Sequence, residues 1–72
     1  MEIKINTVGR IIASNQEQDI GKFIKVEPVK ESLYGAFLIL KYTENSGFDD
    51  WVRNQEDLEY YFAEEELVVE WL

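Results

Sequence analysis

The longest apolar run in this chain is five residues, Ala36 to Leu40, and that shortness limits what it can fold into. Such a run suits a strand buried on both faces and falls far short of the ~18 residues of a membrane span. Extended to Thr43, AFLILKYT is the most β-like segment and reads as a central strand. With 72 residues to arrange around it, the chain is expected to form a single domain, residues 1–72. That is near the lower size at which one core is self-sufficient. A domain this small buries only roughly 60% of the surface exposed on unfolding, so modest stability is expected.

The remaining segments supply partners for that strand. In Met1–Ser14, Ile3, Ile5 and Thr7 alternate with Glu2, Lys4 and Asn6, the period of a half-buried strand. Gly9 interrupts it, as a lone glycine does at a bulge or a close backbone approach, leaving one long bent strand or two short ones. Lys22–Val29 is a second strand, with Ile24 and Val26 facing one way and Lys25 and Glu27 the other. Phe23 falls on the charged side, which is therefore partly covered. Pro28 ends this strand or lies on an edge, because it cannot donate a ladder hydrogen bond. Asn15–Gly21, Lys30–Gly35 and Glu44–Gly47 read as turns.

Phe48–Val52 adds a short strand anchored by Phe48 and Trp51. Asn54 is placed to cap a helix, with Gln55, Glu56 and Asp57 in its first turn. Leu58, Tyr61 and Phe62 then form one apolar stripe over about two turns. The helix is expected to stop near Ala63, since Glu64, Glu65 and Glu66 oppose its dipole and no glycine follows. Leu67–Leu72 closes the chain as a strand, with Leu67, Val69 and Trp71 on one face. The expected class is α+β: a small, curved, mostly antiparallel sheet of four or five strands with one short helix before the last.

Charge divides the chain unevenly. Phe48–Leu72 holds nine acids against one base, Arg53, a net of −8; the preceding residues balance six acids with six bases. A face of unmatched acid repels nucleic acid and anionic membrane, so no direct binding to either is expected. It favours a basic protein partner. The ordinary alternative is a solvated surface, because net charges of about 2–8 are common in small soluble domains. The distribution favours function: Glu56, Asp57 and Glu59 have Tyr60, Tyr61 and Ala63 four residues on, with no base to pair.

Several chemistries drop out by composition. There is no cysteine and no histidine, which removes disulfides, thiolate or imidazole zinc ligands and a histidine-based acid–base or nucleophile pair. The acids match no EF-hand spacing, and the four glycines are single and dispersed, so neither a metal site nor a phosphate loop is expected. No enzyme, no cofactor and no metal is expected. MEIKINTVGR lacks the apolar stretch of a secretory signal, so a cytoplasmic protein is expected. Apolar content of 46% and aromatic content of 14% argue against disorder.

The candidate protein-binding residues are Asp49, Asp50, Trp51, Glu56, Asp57, Glu59, Tyr60, Glu64, Glu65 and Glu66. Trp71 and Tyr61 read as core. Tyr60 lies off the helix stripe beside Glu59, and Trp51 adjoins two aspartates, so either can serve as an aromatic anchor among carboxylates. Carboxylates so arranged can also stand where a nucleic-acid backbone would lie.

The segments G-F-D-D-W-V (from Gly47), N-x-E-D-L-E-x-Y-F (from Asn54) and the closing V-E-W strand resemble small acidic bacterial immunity proteins of polymorphic toxin systems. The resemblance covers Gly47–Leu72. It implies a cytoplasmic inhibitor that buries the active or substrate-binding face of a toxin or nuclease, with no chemistry of its own. Phage inhibitors of nucleases or DNA-binding complexes share this build. The alternative is a structural or assembly module that docks by β-strand addition, at Pro28 or at the terminal strand, or forms a homodimer. A monomer or a weak homodimer is expected.

Overall fold

The computed structural model describes residues 2–33 and 35–72. Met1, in the expected first strand, and Tyr34, in the expected Lys30–Gly35 turn, lie outside the described residues. Five strands form one antiparallel sheet: β1 (Val8–Ala13), β2 (Phe23–Pro28), β3 (Phe37–Tyr42), β4 (Gly47–Val52) and β5 (Val68–Trp71). Their order across the sheet is β4-β3-β2-β1-β5. The single helix α1 (Gln55–Glu64) carries the chain from one sheet edge to the other. The class is α+β, as the apolar periodicities indicate, and the sheet is open rather than closed on itself.

Directly opposed residues share a sheet face, so the register sorts every side chain. Val26 faces Ile39 and Ile39 faces Asp50; Gly9 faces Ile24, Ile24 faces Lys41 and Lys41 faces Phe48. These rows form the inner face. There Ile11, Ile24, Val26 and Ile39 are buried under Leu58 and Phe62 of α1 and Leu67 of the following turn. Burying each such side chain is worth about 1.5–3 kcal/mol relative to exposure. The outer face carries Arg10, Phe23, Tyr42, Lys25, Leu40, Asp49, Leu38 and Trp51. No second layer covers it among the described residues, and Phe23 shelters only under Arg10, 5.1 Å from its ring centroid, and beside Tyr42 at 5.6 Å.

Gly9 confirms the close-approach reading. An added Cβ there would lie 2.4 Å from Val69 Cγ1 and 2.8 Å from Trp71 Cε3. Side chains of β5 occupy the space over that backbone, so only hydrogen fits. The bulge falls elsewhere, where the β1–β5 register shifts between Ile11 and Ala13.

The first strand is shorter than its alternation suggests. Asn6 has a φ of 58° and its N–H bonds to Val26 O at 2.7 Å. That left-handed residue turns the chain, so residues 2–7 run as an arm rather than a strand. The alternation reports burial instead: Ile3 and Ile5 pack against the core, and Trp71 Nε1 donates to Glu2 O at 3.1 Å. Pro28 ends β2, as expected; β2 lies between β1 and β3, with Pro28 paired to Phe37 of β3 while β1 pairs only with Phe23–Lys25.

Helix α1 starts as its sequence requires: Asn54 Oδ1 accepts the Asp57 N–H at 2.8 Å. It ends one residue later than expected and without glycine. Glu66 takes the left-handed conformation, φ 51°, while Glu66 N–H bonds to Ala63 O and Leu67 N–H to Phe62 O. That pair of bonds closes the helix in a Schellman motif, with Leu67 returning to the core beside Phe62.

Candidate functional site

Trp51 and Val52 are neighbours on β4 and point to opposite faces of the sheet. A hollow that touches both must therefore open along the strand's outer edge. Such a groove exists, with a volume of about 430 Å³, between Trp51, Val52 and Arg53 of the β4 end and Asp57, Tyr60, Tyr61, Glu64 and Glu65 of α1 and its last turn. The helix geometry explains its far wall. Asp57, Tyr60, Tyr61 and Glu64 follow the i, i+3, i+4, i+7 rhythm of one stripe, beside the Leu58–Phe62 stripe that faces the core.

Trp51 and Tyr60 are the exposed aromatics of this groove, at 60% and 66% of full exposure. Around them the charges differ in how they are held. Arg53 Nε meets Asp57 Oδ2 at 3.2 Å in an exposed pair one helical turn apart, the kind worth at most about 1 kcal/mol. Glu64 has no ion-pair partner among the described residues, and its side chain is exposed. Glu65 accepts from Lys41.

Behind the groove lies a buried polar cluster. Lys41 is 2% exposed; its ammonium bonds to Asp19 Oδ2 at 2.9 Å and to Glu65, and lies 5.0 Å from the Tyr61 ring centroid. Asp19 Oδ1 also accepts from Lys22 at 2.9 Å, and Tyr61 Oη donates to Asp50 Oδ2 at 2.7 Å. Every buried side-chain N or O among the described residues finds a partner. Burial alone would depress the Lys41 pKa, but hydrogen bonds to Glu65, Tyr61 and Asp19 overcome it and raise it above the ordinary lysine range. Burial would likewise raise Asp19, yet Lys41 and Lys22 hold its carboxyl below the usual value. Tyr61 is pushed up, mainly by burial, with the Lys41 ammonium opposing and the Asp50 carboxylate assisting. Two groove-lining residues, Tyr61 and Glu65, are thereby fixed from behind.

Of the ten candidate residues, Trp51, Asp57, Tyr60, Glu64 and Glu65 come together at this groove. Asp50 sits on the inner face, engaged by Tyr61. Asp49 is exposed on the outer sheet face, opposite Leu40. Glu56 is exposed one turn before Tyr60, while Glu59 lies off the groove stripe and accepts from Gln55 Nε2 at 3.1 Å. Glu66 occupies the left-handed turn after the helix. Sequence reasoning passed over Arg53 and Tyr61 in the lining and the Lys41–Asp19 pair behind it. Lys41 did leave a signal: it continues the Phe37, Ile39 alternation onto the inner face. Asp19, in a polar turn, left none.

Aromatic faces beside carboxylates form a receptor for a cationic side chain, through ring quadrupole and charge together. Among the described residues no group of three or more acids is disposed to hold a metal ion, and no helix is long and apolar enough to cross a membrane. No protein-family model matches the chain, and no curated protein or solved structure shows significant similarity to it.

Proposed function

We propose that this protein binds a basic protein partner through the β4–α1 groove and inhibits it by occlusion, contributing no chemistry. The observation that carries the reading is the convergence of Trp51 and Tyr60 on one groove whose walls include Asp57, Glu64 and Glu65. Large aromatics left 60% and 66% exposed are costly to leave in water and suit an interface centre. The net charge of −8 would speed encounter with a basic surface and discourage self-association. A toxin, a nuclease or a DNA-binding complex presents such a surface. This remains the function that the immunity-protein resemblance implies, with the contact area narrowed to the groove.

The test uses positions that the fold does not need. Tyr60 and Glu64 side chains are exposed and lie on the groove side of α1. Affinity capture with the native chain is compared with capture by Tyr60→Ala and Glu64→Lys variants, and the captured protein's association rate is followed as salt rises. Loss of capture in both variants, with an on-rate falling steeply with ionic strength, is expected. Equal capture by all three forms, or an on-rate indifferent to salt, refutes the reading.

A further inference from the structure

The edge of β4 adds a constraint that the acidic groove alone does not. β4 pairs with β3 through six residues in unbroken register, and among the described residues no strand pairs with its other side. In the hairpin that joins them, Thr43 N–H bonds to Ser46 O at 2.7 Å. Bonded and non-bonded pairs alternate from that point along an antiparallel ladder. Phe48, Asp50 and Val52 therefore turn their backbone groups towards β3, and Gly47, Asp49 and Trp51 turn theirs outwards. Three successive pairing positions, unfilled among the described residues, lead along β4 to the groove, which Trp51, the last of them, lines.

Natural sheets blunt such an edge with charge, bulges or brevity. β5, the opposite edge, has four residues and a register shift against β1. β4 has neither device; its blunting is electrostatic, through Asp49 and Asp50. Two copies of β4 paired antiparallel through their outward residues, centred on Asp49, would set Asp49 of one against Asp49 of the other, and net charges of −8 would repel. That defence works against acidic and neutral strands and against a second copy. A basic strand turns it into attraction.

We infer that the partner presents an extended segment carrying alternate lysine or arginine residues, which adds to the outer edge of β4 as a sixth strand. The inference rests on the reading of the groove as a site for a basic protein partner. Main-chain bonds to Gly47, Asp49 and Trp51 supply affinity; alternate side chains supply selectivity. The alternate cations share one face and enter the groove against Tyr60 and Glu64, while the residues between them lie on the outer face beside Asp49 and the exposed Trp51. A strand added about 4.8 Å beyond β4 occupies the mouth of that groove. The Arg53–Asp57 pair at the rim is exposed and weak enough to reopen.

The probes are three labelled peptides of about eight residues with blocked ends, the length of an ordinary strand. One alternates arginine with valine. The second has glutamate for arginine. The third repeats the first with N-methyl groups on two adjacent central residues, which removes a donor from each strand edge. Binding is read by fluorescence anisotropy at low salt, and amide hydrogen exchange is read residue by residue. The arginine peptide is expected to bind at least about tenfold more tightly than either other peptide. It should slow exchange at Gly47, Asp49 and Trp51 while Phe48, Asp50 and Val52 stay as protected as before. Equal binding by the N-methylated peptide, without new protection, overturns strand addition but leaves a basic partner for the groove standing. Equal binding by the glutamate peptide overturns both. Failure of the arginine peptide to bind at about 1 mM overturns the inference. So does concentration-dependent dimerisation that protects the same three amides.

Discussion

Replacing Lys41 by methionine isolates the buried cluster, because the two side chains are alike in length and differ in the ammonium. Lys41 is 2% exposed and Asp19, the more buried of its two carboxylate partners, has a side chain only 4% exposed. Removing one member of a buried ion pair costs about 3–5 kcal/mol, mostly from the charge left without a partner. The lower end applies, since Lys22 still holds Asp19 at 2.9 Å and Glu65, with a side chain 23% exposed, can regain water. A chain of this size has about 4–11 kcal/mol of stability in all. A loss of about 3 kcal/mol, with a urea slope near 1 kcal/mol per molar, lowers the unfolding midpoint by about 3 M. The double variant Lys41→Met with Asp19→Asn removes the stranded carboxylate as well and should recover about 1 kcal/mol. The assay is urea unfolding followed by tryptophan fluorescence and circular dichroism. If Lys41→Met unfolds within about 0.5 kcal/mol of the native chain, the cluster does not hold the fold. Strict additivity in the double variant would dismiss the coupling between Lys41 and Asp19.

Gly9→Ala forces a methyl against Val69 and Trp71 and should destabilise by about 1–3 kcal/mol, measured by thermal melting. Glu66→Gly releases a non-glycine residue from φ 51° and should raise stability by about 1 kcal/mol in the same assay, whereas Glu66→Ala should not. Stability should fall at high pH. Lys41 and Tyr61 both have raised pKa values, so their contributions are complete below their unfolded values of 10.5 and 10.0 and vanish as pH rises through the folded ones. Asp19, being lowered, acts at the other end: its contribution is complete above its unfolded value of 3.8 and fades as pH falls through the folded one. Urea titrations at pH 7 and at about pH 11 should show the basic loss, reduced in Lys41→Met.

Local chemistry was legible wherever local chemistry decides. The alternation in β2 and β3, the Asn54 cap and the Leu58–Tyr61–Phe62 stripe each specify an element within a few residues, and each formed as written. Two boundaries moved because a residue other than glycine took a left-handed turn. Asn6 ended the N-terminal alternation, and Glu66 closed the helix. Of the candidate site, the off-stripe position of Tyr60 was readable, and so was the ambiguity of Trp51. That both line one groove depends on α1 crossing between opposite sheet edges, which no spacing encodes. The Lys41–Asp19 contact joins residues 22 apart. Half of it was legible, since the inner-face alternation Phe37, Ile39 ends on Lys41; the other half was not, since Asp19 sits in a polar turn with no pattern to place it.

The acids of α1 also show where the fold stops explaining its own sequence. Glu56 and Asp57 stand in the first turn, where the helix dipole favours them. Glu64, Glu65 and Glu66 stand at the other end, where it does not, and no base lies in the last turn. Glu65 is compensated by Lys41. Glu66 is not: it carries both the wrong sign for that helix end and a backbone conformation that glycine would adopt more readily. Glu64 adds a third acid there, and its exposed side chain has no ion-pair partner among the described residues. Folding alone would favour a lysine at position 64 and a glycine at position 66. Glu64 lines the groove, and Glu66 follows the same turn. The residues that stability would replace thus lie at or beside the surface to which binding is assigned. The paired acids, Asp19 and Glu65, hold that surface in place from behind.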